Sequence, residues 1–235
     1  MNTFSGIVFE LEASTADTTQ LIEYLLDYNI EYADRPHSLF LDLSIAGDAG
    51  ALACTRYDGK DHRNYNMHTR LFGLRIIPPP FPAQTEVSKV KQLILDLAKV
   101  LNIVCFASDQ YQSTNLRQDI NRELGLEDIR ISMDSSDVPY LLWQQALVEG
   151  RIRQTKDPKL EMEVRQAIYD VKRHRVLKAK KSSDDLMQAV VGSFFLSDTQ
   201  GAVYESIGSL YSNRTNLIGG KSMSKVLKSL GYDKF

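Results

Sequence analysis

The order of apolar runs along the chain constrains its fold more than any other feature. Residues 38–45, 50–57 and 70–77 are three short runs rich in strand-forming side chains. Gly47-Asp48-Ala49-Gly50 between the first two predicts a hairpin turn. Pro78-Pro79-Pro80 closes the third, because proline cannot donate to a strand ladder. The pattern then changes period. Val87, Val90, Ile94, Leu97 and Leu101 fall on one helical face and lead into the continuous apolar run 103–107, which has the length of a buried strand. Ser113 or Thr114 can cap a further helix ending near Gly125. A strand is expected over 128–133, helices over 138–149 and 160–171, and a last helix capped by Ser182 or Ser183 and running to about Leu196. A meander followed by strand–helix units predicts an α/β fold: a mixed sheet flanked by helices.

The 235 residues fit this as one domain over 37–200 with two extensions. The lead-in 1–36 contains an amphipathic helix pattern over 18–26, then a turn at Asp34-Arg35-Pro36. The tail 201–235 carries Arg214, Lys221, Lys225, Lys228 and Lys234 against Glu205 and Asp233, with Tyr204, Tyr211, Tyr232 and Phe235 among them. It reads as a docking element or as a partly ordered terminus. With 43% hydrophobic residues the chain can bury a sizeable core without disulfides or a structural metal. Cys54 and Cys105 sit in apolar runs and read as reduced core residues of an intracellular protein. No leader of the basic-then-apolar kind is expected, and no apolar run nears the roughly 20 residues of a membrane span.

The net charge of −2 does not by itself announce a nucleic-acid binder. The basic residues are unevenly spread, however: Lys172, Arg173, Arg175, Lys178, Lys180 and Lys181 crowd around His174. Such a patch can hold phosphates on a mildly acidic protein, or simply be a solvated face.

Three acidic positions stand out by where they fall. Asp42 lies within an apolar strand, Asp109 follows the buried run, and Asp184-Asp185 open the last helix. An aspartate among apolar strand residues is costly unless it is paired or holds a cation. Alone, Asp184 or Asp185 would serve as a helix cap and Asp109 as a turn residue. Together, carboxylates from two strands and a helix can meet at one sheet edge, as Mg²⁺ and Mn²⁺ require. Other chemistry lacks support. His37, His62, His68 and His174 show no metal-ligand spacing, and Gly219-Gly220-Lys221-Ser222 has Thr215 where a phosphate-binding loop needs glycine.

These residues carry a family likeness. Phe40-Leu41-Asp42-Leu43 leading into Gly47-Asp48-Ala49-Gly50 resembles the first nuclease motif of tailed-phage terminase large subunits. Leu74-Arg75-Ile76-Ile77 with its prolines resembles that family's following strand, and Asp109-Gln110-Tyr111-Gln112-Ser113-Thr114 its second motif. Pro139-Tyr140, then Glu149-Gly150-Arg151, and finally Ser183-Asp184-Asp185-Leu186 follow in the family order. The likeness spans about residues 38–198.

The resemblance implies an RNase H-like fold and a metal-dependent endonuclease that cuts concatemeric DNA during viral packaging. It implies Asp42, Asp109 and Asp185 as catalytic metal ligands for Mg²⁺ or Mn²⁺, two ions in all, with Asp184 as a further ligand. The position before the leucine of the motif favours Asp185 over Asp184. Gln188 stands where the family often has a second aspartate, so a fourth ligand is either missing or supplied by Asp184 or by Asp48, the latter otherwise standing behind the direct ligands. Arg151, Arg153, Lys172, Arg173, Arg175, Lys178, Lys180 and Lys181 would hold double-stranded DNA. The implied partners are the terminase ATPase domain, the portal or procapsid and the small subunit, in the host cytoplasm, with no membrane. No ATPase motif occurs, so the chain is expected to be a fragment or a separate domain. A junction resolvase or integrase would share the carboxylates, and a non-enzymatic DNA or portal adaptor would lack metal binding.

Overall fold

The computed structural model describes residues 9–12, 21, 25, 35–43, 49–77, 85–109, 113–154, 156–179 and 183–201. Its centre is a mixed sheet of six strands: β1 (Phe9–Glu12), β2 (His37–Asp42), β3 (Gly50–Lys60), β4 (Asn66–Ile77), β5 (Ile103–Ser108) and β6 (Ile152–Arg153). The spatial order is β1-β4-β3-β2-β5, with β6 also paired to β4. Strands β2, β3 and β4 form the expected antiparallel meander, while β5 runs parallel to β2. The tip of the β2–β3 hairpin, Asp48 included, lies outside the described residues.

Alternation divides the sheet into two cores. Leu39, Leu41, Leu52, Cys54, Leu74 and Phe106 point to the face covered by α1 (Val87–Val100) and α2 (Thr114–Leu124). Phe40, Ala51, Ala53, Cys105 and Ala107 point to the other face. That face is covered by α3 (Val138–Val148), α4 (Pro158–Gln166) and α5 (Asp185–Leu196). Every residue of α5 from Leu186 to Leu196 is buried, so this largely apolar helix is covered all round and lies against β2, β3 and β4. Its approach is close because Gly192 faces the Phe40 ring and Gly73 faces Leu186. Cys54 and Cys105 are free and buried, in keeping with their reading as core residues.

The N-terminal segment also contributes. Strand β1 pairs with β4 in parallel, and Leu21 and Leu25, on the expected amphipathic helix, are helical and buried in the α1/α2 core.

Two expectations are corrected. Residues 126–132 form no strand. Ile131 and Met133 are buried on alternate positions as in a strand, but among the described residues no strand pairs with this segment. The helix expected to reach residue 171 stops at Gln166, where Ala167 turns extended. Beyond it, β7 (Ile168–Asp170) and β8 (Arg175–Leu177) form a separate antiparallel hairpin. Its turn is set by Asp170, whose carboxylate accepts the Lys172 and Arg173 amides, and by His174 at φ 49°. Among the described residues, no helix is long and apolar enough to cross a membrane.

Candidate active site

The site begins with strand register. In the parallel β2/β5 pair, Phe40 stands opposite Ala107 and Leu41 opposite Ser108. The Asp109 amide continues the ladder by donating to the Leu41 carbonyl at 3.1 Å. Asp42 and Asp109 thus end two neighbouring strands side by side. Phe40 and Ala107, two residues earlier on each strand, belong to the α5-facing core, so both aspartates have the parity of that face. Helix α5 begins there with Asp185.

The electrostatics show that these carboxylates sense one another. Burial, followed by the charges of Asp185, Asp109, Asp184 and Asp134, holds the Asp42 carboxyl well above the usual range. Asp185 is also raised, by burial and by Asp184 and Glu163, against a lowering hydrogen bond from Ser183. Tyr140 on α3 is pushed up by burial and then by Asp184, Asp134, Asp42 and Asp109.

The surroundings hold the carboxylates in place. Ser113, at the N-cap of α2, donates to the Asp109 carbonyl at 2.6 Å and touches the Ser108 hydroxyl at 2.7 Å, fixing the turn after β5. Asp184 occupies the N-cap of α5, although its own side chain does not cap that helix. Gln188 donates to Asp184 Oδ2 at 3.0 Å, and Lys178 Nζ lies 3.9 Å from Asp184 Oδ1. The cap comes from elsewhere: Glu163 on α4, only 1% exposed, accepts the Met187 amide at 2.8 Å and the Ser183 hydroxyl at 3.0 Å. A carboxylate there also suits the positive end of the helix dipole.

Sequence reasoning missed Glu163 and Asp134. The amphipathic pattern of 160–171 gave no reason to single out one buried glutamate. Asp134 lay just beyond a segment read as a strand, although Ser132 to Asp137, dense in serine and aspartate, is a turn signal.

The basic residues divide into two groups. Lys172, Arg173, Arg175 and Lys178 lie on or beside the β7–β8 hairpin. The hairpin is tied to the start of α3 by the Tyr169 hydroxyl, 2.6 Å from Asp137, with His174 3.6 Å from the same oxygen. Arg175 and Lys178 line a cleft of about 290 Å³ with Asp134, Asp184 and Gln188, next to the carboxylates. Lys180 and Lys181 lie outside the described residues.

Arg151 and Arg153 are elsewhere. They adjoin His68 and Thr69 of β4, whose strand partners lead through Arg56 to His37, at the far end of β2 from Asp42. That separation is roughly 16 Å along the strands, at about 3.3 Å per residue. Arg151 is only 7% exposed and binds Glu149 at 2.6 Å and Asp198 at 3.4 Å. Its guanidinium is committed inside the protein, against the expectation that it grips DNA. Arg153 is exposed at that same distant end.

The donors at the Asp42 end are all oxygen and bear like charges, a set that fits a hard divalent cation. Among the described residues, no three acidic, histidine or cysteine side chains form a ready-made metal cage. Of the carboxylates, Asp134 and Asp184 line the cleft.

Solved structures with the same architecture are phage large terminases and their nuclease domains. The HK97 bacteriophage large terminase superposes with a TM-score of 0.51 at 19% identity, over 68% of this chain and 39% of that one. The fold is that of the large-terminase nuclease. The Thermus phage P74-26 large terminase nuclease domain gives 0.50 at 12% identity, over 69% of this chain and 80% of the domain. The large terminase nuclease from thermophilic phage G20c, solved with bound cobalt, also gives 0.50 at 12%, over 69% and 81%. This RNase H-like chain thus spans about two fifths of the HK97 protein and matches most of the isolated nuclease domains. No protein-family model and no curated protein matches the sequence.

Proposed function

We propose that the chain is a metal-dependent DNA endonuclease domain of a packaging terminase, cutting concatemeric DNA. The observation that carries this reading is the placement of Asp42 and Asp109 at adjoining strand ends, with the charges of Asp109 and of Asp184 and Asp185 at the start of α5 reaching Asp42. A buried group so placed gains from a divalent cation what it lacks in water. The terminase nuclease fold and the cobalt bound by the G20c nuclease support the same chemistry.

Asp42, Asp109 and Asp185 would hold Mg²⁺ or Mn²⁺, two ions in all, and Asp184 or Asp48 would add a carboxylate. Bound divalent ions activate a water and stabilise the leaving oxygen of a phosphodiester. Ser113 keeps the Asp109 turn closed, and Glu163 fixes the start of α5 and with it Asp185. Lys172, Arg173, Arg175 and Lys178, joined by Lys180 and Lys181, would grip the DNA backbone beside the carboxylates. Backbone contacts carry no base information, so cutting should show little sequence preference.

Residues 37–200 would form the body of the nuclease domain, to which 1–36 adds strand β1 and the buried Leu21 and Leu25, with 201–235 as a tail for docking. The terminase ATPase domain, portal and small subunit would be partners in the host cytoplasm. Plasmid cleavage with Mn²⁺ tests the reading. Asp42→Asn should abolish cutting, and undiminished cleavage by that variant would refute it.

A further inference from the structure

Resting on that metal reading, we infer that Asp134 is a further carboxylate of the divalent-cation site, standing across the cleft from Asp184, with the Gln188 side-chain oxygen beside them. Its loop, between α2 and α3, is pinned just before it: Met133 is fully buried and Ile131 is 8% exposed. The Asp134 carboxylate is therefore exposed on an anchored backbone. It lines the same cleft as Asp184, Gln188, Arg175 and Lys178. Among the described residues it forms no ion pair, although Arg175 and Lys178 line that cleft too. Its charge nevertheless reaches both Asp42 and Tyr140.

Gln188 supplies the independent observation. It is 7% exposed, and its amide nitrogen is engaged by Asp184 at 3.0 Å. Its Oε1 is buried with no hydrogen-bond partner. A buried carbonyl oxygen left so costs about 1–3 kcal/mol. A hydrated cation between Asp134 and Asp184 would satisfy it, either directly or through a bound water. The ligand class is thus a hard divalent cation with part of its water shell, Mg²⁺ or Mn²⁺, held from the loop side by Asp134.

Calorimetric titration of the full chain with Mn²⁺ tests this. Asp134→Asn should weaken binding by about 10-fold to 100-fold, as loss of an outer partner does at other metal sites. Its thermal melting in EDTA should stay unchanged, since the residue is exposed. Unaltered Mn²⁺ affinity would overturn the inference. So would an equal loss in Asp119→Asn, a carboxylate on the outer face of α2, because the effect would then be diffuse charge. If wild-type protein binds no Mn²⁺, or Asp42→Asn binds it as well as wild type, the metal reading itself fails. A failure confined to Asp134→Asn leaves that reading standing.

Discussion

Glu163 accepts the backbone amide of Met187 across a helix–helix boundary at 2.8 Å, so α4 caps the helix that carries Asp185. The carboxylate is buried and also takes the Ser183 hydroxyl, with Lys159 3.3 Å away. Glu163→Ala leaves the α5 amide without its acceptor in a dry place. We expect a loss of about 1–3 kcal/mol in urea unfolding, with Glu163→Gln losing less because its amide oxygen can still accept. Equal stability of Glu163→Ala and wild type would remove Glu163 from its positioning role.

The packing of α5 is equally specific. A Cβ on Gly192 would stand 2.5 Å from Phe40 Cγ, inside the ring's contact distance. Phe40 is fully buried and lies two residues from Asp42 on the same strand face. Gly192→Ala should therefore cost about 1–3 kcal/mol, because the helix or the ring must move. Adding Phe40→Leu should recover part of that loss, so the double variant will unfold at higher urea than the sum of the single effects requires. Strict additivity in the double-mutant cycle would show that the two residues do not press on each other.

Much of this architecture was legible because apolar residues fix strand faces. Runs such as Leu39 to Leu41 and Val104 to Ala107 can be buried only in a sheet covered on both sides, and Asp42, directly after the first, stood out as a carboxylate at the end of such a strand. Polar strand ends were harder. Strand β3 extends to Lys60 and β4 begins at Asn66 because Asp58 pairs with Arg56 and bonds Thr69, a cross-strand pairing invisible to apolar periodicity. The role that the resemblance implied for Arg151 left out Asp198, 47 residues away, which binds its guanidinium. Glu163 and Asp134 gain their meaning only from elements distant in sequence. The order of motifs, by contrast, needed no tertiary information.

Stability should depend on pH through His37. Burial, then the positive charge of Arg56, lowers its pKa to about 4 from an ordinary 6.5. Between those values the unfolded chain binds a proton that the native protein refuses, so stability falls as the solution is acidified. A shift of that size corresponds to about 3 kcal/mol. Asp42 works in the opposite direction, so the informative quantity is a difference. Wild type should lose more urea resistance than His37→Leu between pH 6.5 and 4. Parallel profiles for the two proteins would show that His37 titrates normally in the fold.

The same linkage makes Asp42 a residue that weakens the protein it serves. Burial and the charges of Asp185, Asp109 and Asp184 raise its pKa, so the native state holds a proton that the unfolded chain has already released. Above that raised pKa the native protein must carry a disfavoured charge, and below it the penalty fades. In EDTA at pH 7, Asp42→Asn should therefore melt at a higher temperature than wild type, and the gain should shrink as the pH falls. Mn²⁺ reverses the ranking. A cation bound only by the native state adds about 2.7 kcal/mol at 100 times its Kd, and only wild type should receive this in full. Differential scanning calorimetry with and without Mn²⁺ separates the two effects. A variant less stable than wild type in EDTA, or one stabilised equally by Mn²⁺, would mean that Asp42 is held by something other than a waiting cation.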